Sequence, residues 1–262
     1  MPQNPPRAAA GRYRYLVLFA SFMMLAIGTG SVFALAVALK DIAATFGWPR
    51  TVPSLGYSMQ FLGAGIGGIA MGHWLDRSGM SKPALIGAVM IGSGAIATSQ
   101  ITAAWQLLTV YGLMMGMLGH ATLFAPMMAN VTRWFTRKRG MAVGVVASGQ
   151  TIAGAIWPPI LGYLNQSIGW REMFFWYGVF ALATMLPLAL VFRRRPESVV
   201  RHVGSGTENA ASASQDAAAP EQPTLSISPS RLQTVLCVAV IGCCVAMSMP
   251  LAHLFAHATD LG

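Results

Sequence analysis

The chain has 262 residues, 55% of them hydrophobic and 10% charged, with a mean hydropathy of +0.56. A soluble globular domain carries roughly a quarter charged residues, so this composition excludes an ordinary soluble protein. The net charge is +9 and the pI about 10.1, a balance that suits either nucleic acid or an anionic membrane face. The basic residues fall in short segments between apolar blocks of about 20 residues, each long enough to span roughly 30 Å of hydrocarbon, so membrane topology explains the charge and nucleic acid is not an expected partner.

The chain opens on a short segment, 1–14, that carries Arg7, Arg12 and Arg14. With Ala34-Leu35-Ala36 further on, this start has the look of a signal peptide, but the apolar run from Tyr15 to Leu39 is too long for the usual 7–15-residue core of one. It is read as the first span. Spans are predicted over 15–38, 54–75, 83–101, 104–130, 141–164 and 172–192, a six-helix bundle over 15–192. Gly63, Gly67 and Met71, and again Gly140, Gly144 and Ser148, recur at every fourth position, which predicts close helix–helix contact on those faces. A polar linker follows over 193–231. Its centre is rich in Ala, Ser, Gly, Pro and Gln, a composition that cannot bury a core and predicts disorder. The segment 232–262 carries a seventh span over 232–257 and a short external end. All three cysteines, Cys237, Cys243 and Cys244, lie in that span without metal-ligand spacing.

With the N-terminus placed in the cytoplasm, 14 of the 17 Lys and Arg residues fall on the inner side. Only Lys40, Arg50 and Arg171 fall outside, a strong positive-inside bias. Trp48, Trp105, Trp134 and Trp170 stand near span ends, where an interfacial aromatic belt accounts for them.

Two loops carry motifs. Between spans two and three the chain reads Gly72-His73-Trp74-Leu75-Asp76-Arg77-Ser78-Gly79, followed by Lys82. An acidic residue beside a basic one at a membrane boundary needs a partner, and Gly79 suits a tight turn. The spacing Gly-x-x-x-Asp-Arg-x-Gly resembles the loop signature of the major facilitator superfamily. The resemblance implies a conformational latch made of Gly72, Asp76, Arg77 and Gly79. The second motif is Arg133-Trp134-Phe135-Thr136-Arg137-Lys138-Arg139-Gly140, continuing through Ala142 and Gly144. It resembles the segment entering helix five in the monocarboxylate-transporter-like branch, as do Gly154, Pro158-Pro159 and Gly169-Trp170-Arg171. Pro250-Leu251-Ala252-His253-Leu254 resembles helix seven of bacterial members. Two departures stand out. The branch's acidic first-helix signature is absent, the chain reading Arg12-Tyr13-Arg14-Tyr15 there, and the family's twelve helices are matched here only through the seventh.

The fold expected is therefore an all-α membrane protein: the six-helix N-terminal half of a major-facilitator fold plus a seventh helix. The resemblance implies a substrate path at mid-depth, where Thr29, Ser31, Tyr57, Gln60, His120 and Gln150 are the candidates. Gly28-Thr29-Gly30-Ser31 can loosen a helix and bare its carbonyls, and an ionisable residue within a span, such as His120, is a functional candidate for proton transfer. The path equally admits plain interhelical hydrogen bonding. His253 and His257 share an i, i+4 spacing without an acidic third ligand, so no metal is expected. No Walker-type glycine loop and no Ser-His-Asp set occurs, so neither ATP-driven transport nor catalysis, and no cofactor, is expected. The resemblance implies alternating-access transport of a small organic anion, a monocarboxylate, coupled to protons or a second anion. It implies a multi-pass protein of a bacterial inner membrane. The rival reading is a truncated or split half-transporter, inactive alone or completed by a second chain that supplies the missing helices. A seven-helix receptor is a third reading, disfavoured because it has no use for the latch loop.

Overall fold

The computed structural model describes residues 7–135, 138–193 and 235, with the side chains of 7–12 and 75–78 outside that description. Arg137 of the second motif, the linker from 194 and, apart from residue 235, the seventh predicted span with its histidines lie outside it too. The described residues form helices and no strand. The helices are α1 (Arg7–Phe46), α2 (Thr51–Ser78), α3 (Ser81–Ser99) and α4 (Ala104–Trp134), followed by a helical stretch Arg139–Val191. That stretch is broken at Gly169, where φ is 82° and ψ 161°. Only glycine adopts this conformation without strain, so the chain turns back there, dividing α5 (139–168) from α6 (170–191).

Glycine also closes the first two helices, with φ of 65° at Gly47 and 78° at Gly79. After α1 the Trp48 N–H donates to the Ala43 carbonyl at 3.0 Å and the Gly47 N–H to Ala44 at 3.4 Å, the paired closure that satisfies a helix's last carbonyls.

Four stretches, Tyr13–Phe46, Ser81–Ser99, Ala104–Trp134 and Arg139–Val191, are long and apolar enough to cross a membrane. The last has 53 residues and doubles back, so it supplies two crossings. The 28 residues of α2 extend about 42 Å at 1.5 Å per residue, length enough to cross, but glycines and Gln60 dilute its apolarity and it is not one of those four stretches. The helices overrun the predicted spans. α1 extends eight residues before position 15 and eight beyond 38, because its polar ends continue helically past the hydrocarbon.

Contacts fix the directions of the helices. Gly149 lies against Phe22, Trp157 bonds to Ala26 and Asn165 to Asp41, so α5 runs alongside α1 in the same sense. Trp170 bonds to Thr45, Tyr177 to Ile27 and Tyr13 to Val191, so α6 returns. Arg14, Lys82, Arg133, Lys138, Arg139 and Arg193 consequently share one end of the bundle. Lys40, Arg50 and Arg171 share the other, with Asp41 and Glu172.

In a bilayer the lipid tails are as apolar as leucine, so helices associate through close packing and hydrogen bonds rather than through the hydrophobic effect. The glycines serve this purpose. A Cβ on Gly63 would run into the Gly112 carbonyl and one on Gly67 into that of Met117, while one on Gly116 would meet the backbone of Gln60. The α2 and α4 backbones therefore touch. Gly92 and Gly178 do the same between α3 and α6. The equally regular Gly140 and Gly144 make no such contact among the described residues. Both are exposed, with no described atom within 4 Å of a Cβ, while α5 buries the neighbouring face through Ala142, Val146, Gly149 and Ala153.

The interior separates into two apolar cores. One, toward the basic end, includes Val17, Leu25, Ile91, Leu123, Met127 and Met185. The other includes Leu35, Ile42, Leu107, Met115, Leu161 and Phe174. Along α1 the first core ends at Ile27 and the second begins at Val32, leaving Gly28–Ser31 in a seam between them that Trp157 bridges.

Candidate functional site

The seam collects the polar side chains of three helices. Ser31 on α1 donates its hydroxyl to the Gly28 carbonyl at 2.8 Å and accepts the Gln60 Nε2–H of α2 at 3.3 Å. Thr29 donates to Leu25 at 2.8 Å within its own helix. On α4 His120 presents its ring to Phe61 with centroids 6.3 Å apart, and Phe61 in turn packs on Tyr57 at 5.1 Å. Thr29, Ser31, Tyr57, Gln60 and His120 are all buried. Two atoms there have no hydrogen-bond partner among the described residues: Gln60 Oε1 and His120 Nδ1. Each such buried atom costs about 1–3 kcal/mol, and native proteins leave few of them. The seam thus holds an unused acceptor and a ring nitrogen able to carry a proton, on helices that approach from different sides.

Local backbone structure places them. Val110–His120 winds as π-helix within α4, a widened turn found mostly at functional sites. Its Gly116 admits the Gln60 backbone, and that closeness brings Phe61 onto His120. The expected loosening of α1 at Gly28–Ser31 does not occur, since α1 is continuous from Arg7 to Phe46. Extra donors act on its carbonyls instead. Trp157 Nε1–H reaches Ala26 at 2.9 Å, and the Tyr177 hydroxyl reaches Ile27 at 2.5 Å. Gly30 makes room for both rings, which meet edge-on at 5.3 Å. Sequence reading missed this clasp. The available signal was that Trp157 stands inside a predicted span, away from the interfacial belt that accounts for Trp48, Trp105, Trp134 and Trp170. Gln150 is half-buried on α5 beside Gly149, which packs on Phe22, and it takes no part in the hydrogen bonds of the seam.

The latch residues occupy the end of α2. Asp76 and Arg77 lie in its last turn, Gly79 makes the left-handed turn into α3, and Lys82 is exposed. No atom of the described residues approaches a Cβ placed on Gly72. In the second motif Arg133 and Trp134 end α4, Phe135 is buried in extended backbone, and Lys138 precedes Arg139 and Gly140 at the start of α5. Trp134 packs on Tyr13 at 5.5 Å and Phe135 on Tyr15 at 5.9 Å, while the Tyr13 hydroxyl bonds to Val191. The motif therefore ties the ends of α1, α4 and α6.

Gly169-Trp170-Arg171 performs the matching task at the far end. Trp170 Nε1–H donates to Thr45 at 3.0 Å. Arg171 donates to the carbonyls of Ser99 at 2.9 Å and Ile101 at 3.1 Å, and its guanidinium lies over Trp170 at 4.6 Å. A cation on a helix's last carbonyls opposes the negative end of its dipole, so Arg171 caps α3.

The family model of the Major Facilitator Superfamily matches residues 16–262. Among curated proteins, MFS-type transporter pynF of Aspergillus niger is 30% identical over 139 residues, covering 53% of this chain and 32% of that protein. Monocarboxylate transporter 11 of Mus musculus is 27% identical over 202 residues, covering 72% of this chain and 43% of that protein. Riboflavin transporter RibJ of Trypanosoma brucei brucei is 27% identical over 184 residues, 69% of this chain and 34% of that protein. The chain thus spans less than half the length of each of these relatives.

Proposed function

Because this chain belongs to the Major Facilitator Superfamily, we propose that it is a secondary transporter of a small organic anion that works by alternating access. The observation that carries the proposal is the polar seam: Gln60 meets Ser31 between two apolar cores, His120 is buried against Phe61, the residue after Gln60, and Gln60 Oε1 and His120 Nδ1 have no partner among the described residues. Binding sites at mid-depth between rocking helix groups are how secondary carriers expose one site to either side in turn. An anion leaving water must meet hydrogen-bond donors and a compensating charge. Ser31 and Gln60 can serve as donors, and His120 gains a charge when it takes up a proton, which couples the anion to H⁺ or to exchange for a second anion. Thr29 and Tyr57 complete the wall, and Gln150 lies along the route from the basic end. Gly72, Asp76, Arg77 and Gly79 form the latch that holds one of the two conformations. The segment from Arg133 through Arg137 to Gly140 anchors α4 to α5 on the same side. The charge sort places that basic end in the cytoplasm, while a bacterial inner membrane rests on the sequence resemblance alone.

The relatives named above carry two substrate names, monocarboxylate and riboflavin. A monocarboxylate matches a seam with one protonatable group and a few hydrogen-bonding groups better than a large heterocycle does. The chain spans 43% or less of each of these relatives, and the second reading is a half-transporter, in which transport needs more helices than this stretch supplies. Counterflow of labelled lactate into proteoliposomes containing only this chain separates the two. Saturable uptake that disappears in His120→Ala supports transport by the chain itself. No uptake from a well-folded helical sample favours the half-transporter.

A further inference from the structure

At the basic end, the start of α1, the end of α4 and the start of α5 border a cleft of about 250 Å³ that takes no part in the polar seam. Its walls include Arg14 and Tyr15 of α1, Trp134 and Phe135 at the end of α4, and Lys138 before α5. Leu18, Met141 and Ala142 form an apolar floor. Thr29 lies 15 residues further along α1 than Arg14, about 22 Å at 1.5 Å per residue, so the cleft is separate from the proposed substrate path.

We propose that this cleft binds the headgroup of an anionic phospholipid, with the acyl chains descending over Leu18 and Met141. Four features agree. Arg14 and Lys138 bring two cations to the cleft, and no acidic residue lines it among the described residues. The Arg14 guanidinium is held in place, lying over the Tyr15 ring at 4.9 Å and the Phe135 ring at 5.7 Å, so little side-chain freedom is lost when it meets a phosphate. The first turn of α5 forms part of the wall through Met141 and Ala142, and the Lys138 side chain does not cap it. The positive end of that helix therefore adds to the same field. The apolar floor continues onto Met141, an exposed side chain in a membrane-crossing helix. This combination of basic residues, an aromatic wall and an apolar exit is what a headgroup entering between membrane helices needs. The volume lies below the roughly 300–1,000 Å³ of sites that engulf a drug-sized solute, which fits a small headgroup with its tails outside.

The site has a structural consequence. It spans the ends of α1, α4 and α5, so an occupied cleft holds those three ends together. The inference does not depend on transport and holds whether the chain is a whole carrier or a half.

The test is native mass spectrometry of the full chain released from micelles containing equal phosphatidylglycerol and phosphatidylcholine. The expected result is one phosphatidylglycerol retained in preference to phosphatidylcholine. Each basic residue near an anionic headgroup is worth about fivefold in affinity, so Arg14→Gln with Lys138→Gln should reduce retention by roughly 25-fold. Lys82→Gln, at the same end but outside the cleft, should leave it unchanged. Lys138→Gln alone keeps the Arg14 stack intact and should cost about fivefold, which guards against a double variant that fails to fold. Equal retention of the two lipids by the unaltered chain would overturn the proposal, as would a loss in Lys82→Gln equal to that in the double variant. Displacement of the lipid by inorganic phosphate would mark the cleft as a site for soluble anions and would also overturn it.

Discussion

Replacing Gly63 and Gly67 together by alanine tests whether backbone contact holds α2 on α4. A Cβ at either position falls inside van der Waals range of an α4 carbonyl, that of Gly112 for the first and Met117 for the second. These obstacles are backbone atoms, so no rotamer change relieves the overlap and the helices must separate. Overpacking of this kind costs about 1–3 kcal/mol per site. One displacement of α4 serves both sites, so the costs add incompletely, and about 3 kcal/mol is expected for the pair. Gly65 and Gly68 supply the internal control, because no atom of the described residues lies within 4 Å of a Cβ at either. Alanine there gains up to about 1 kcal/mol of helix propensity per site. The two double variants should thus differ by roughly 4 kcal/mol, about a thousandfold in the unfolding equilibrium. Titration with sodium dodecyl sulfate in mixed micelles, followed by helical circular dichroism, reads this difference as a shift between midpoints. Equal midpoints for the two variants would refute the packing argument.

Gly169→Ala should lower the thermal midpoint in detergent by an amount equivalent to about 1–3 kcal/mol, since φ of 82° with ψ of 161° is closed to alanine; an unchanged midpoint would show that the turn can form otherwise. Tyr177→Phe and Trp157→Phe each remove a side-chain donor to α1 and should cost about 0.5–1.5 kcal/mol, with hydrogen exchange accelerated over 26–30 and unchanged near Ile42. Arg171→Lys should fail to restore what Arg171→Ala loses, because the ammonium cannot reproduce the planar pair of bonds to Ser99 and Ile101; exchange at residues 99–102 measures it, and full rescue by lysine would contradict the capping role.

The long apolar helices were legible because the length of an apolar run maps directly onto bilayer thickness. The ends were not, since helices such as α1 continue through polar residues at the interface. Periodic glycines gave mixed guidance for a physical reason. Spacing identifies a face but not what lies opposite it, so Gly63 and Gly67 met α4 while Gly140 and Gly144 met nothing within the described residues. Among the candidate path residues, Ser31 and Gln60 are 29 positions apart and meet only because α1 and α2 are antiparallel neighbours at that register. The Trp157 and Tyr177 clasp depends on separations of 131 and 150 residues, which no local pattern encodes. The π-helical stretch Val110–His120 in α4 was equally hidden, because its apolar, glycine-rich composition is that of an ordinary membrane α-helix.

The claim that the seam is a substrate path is tested most directly by cysteine accessibility at Gln60, after Cys237, Cys243 and Cys244 are replaced by alanine. Gln60→Cys, buried in this conformation but on the path that alternating access opens, should react with a small membrane-impermeant thiol reagent and be protected by lactate, while Met127→Cys, packed in the apolar core toward the basic end, should not react. A Gln60→Cys as inert as Met127→Cys would contradict the account.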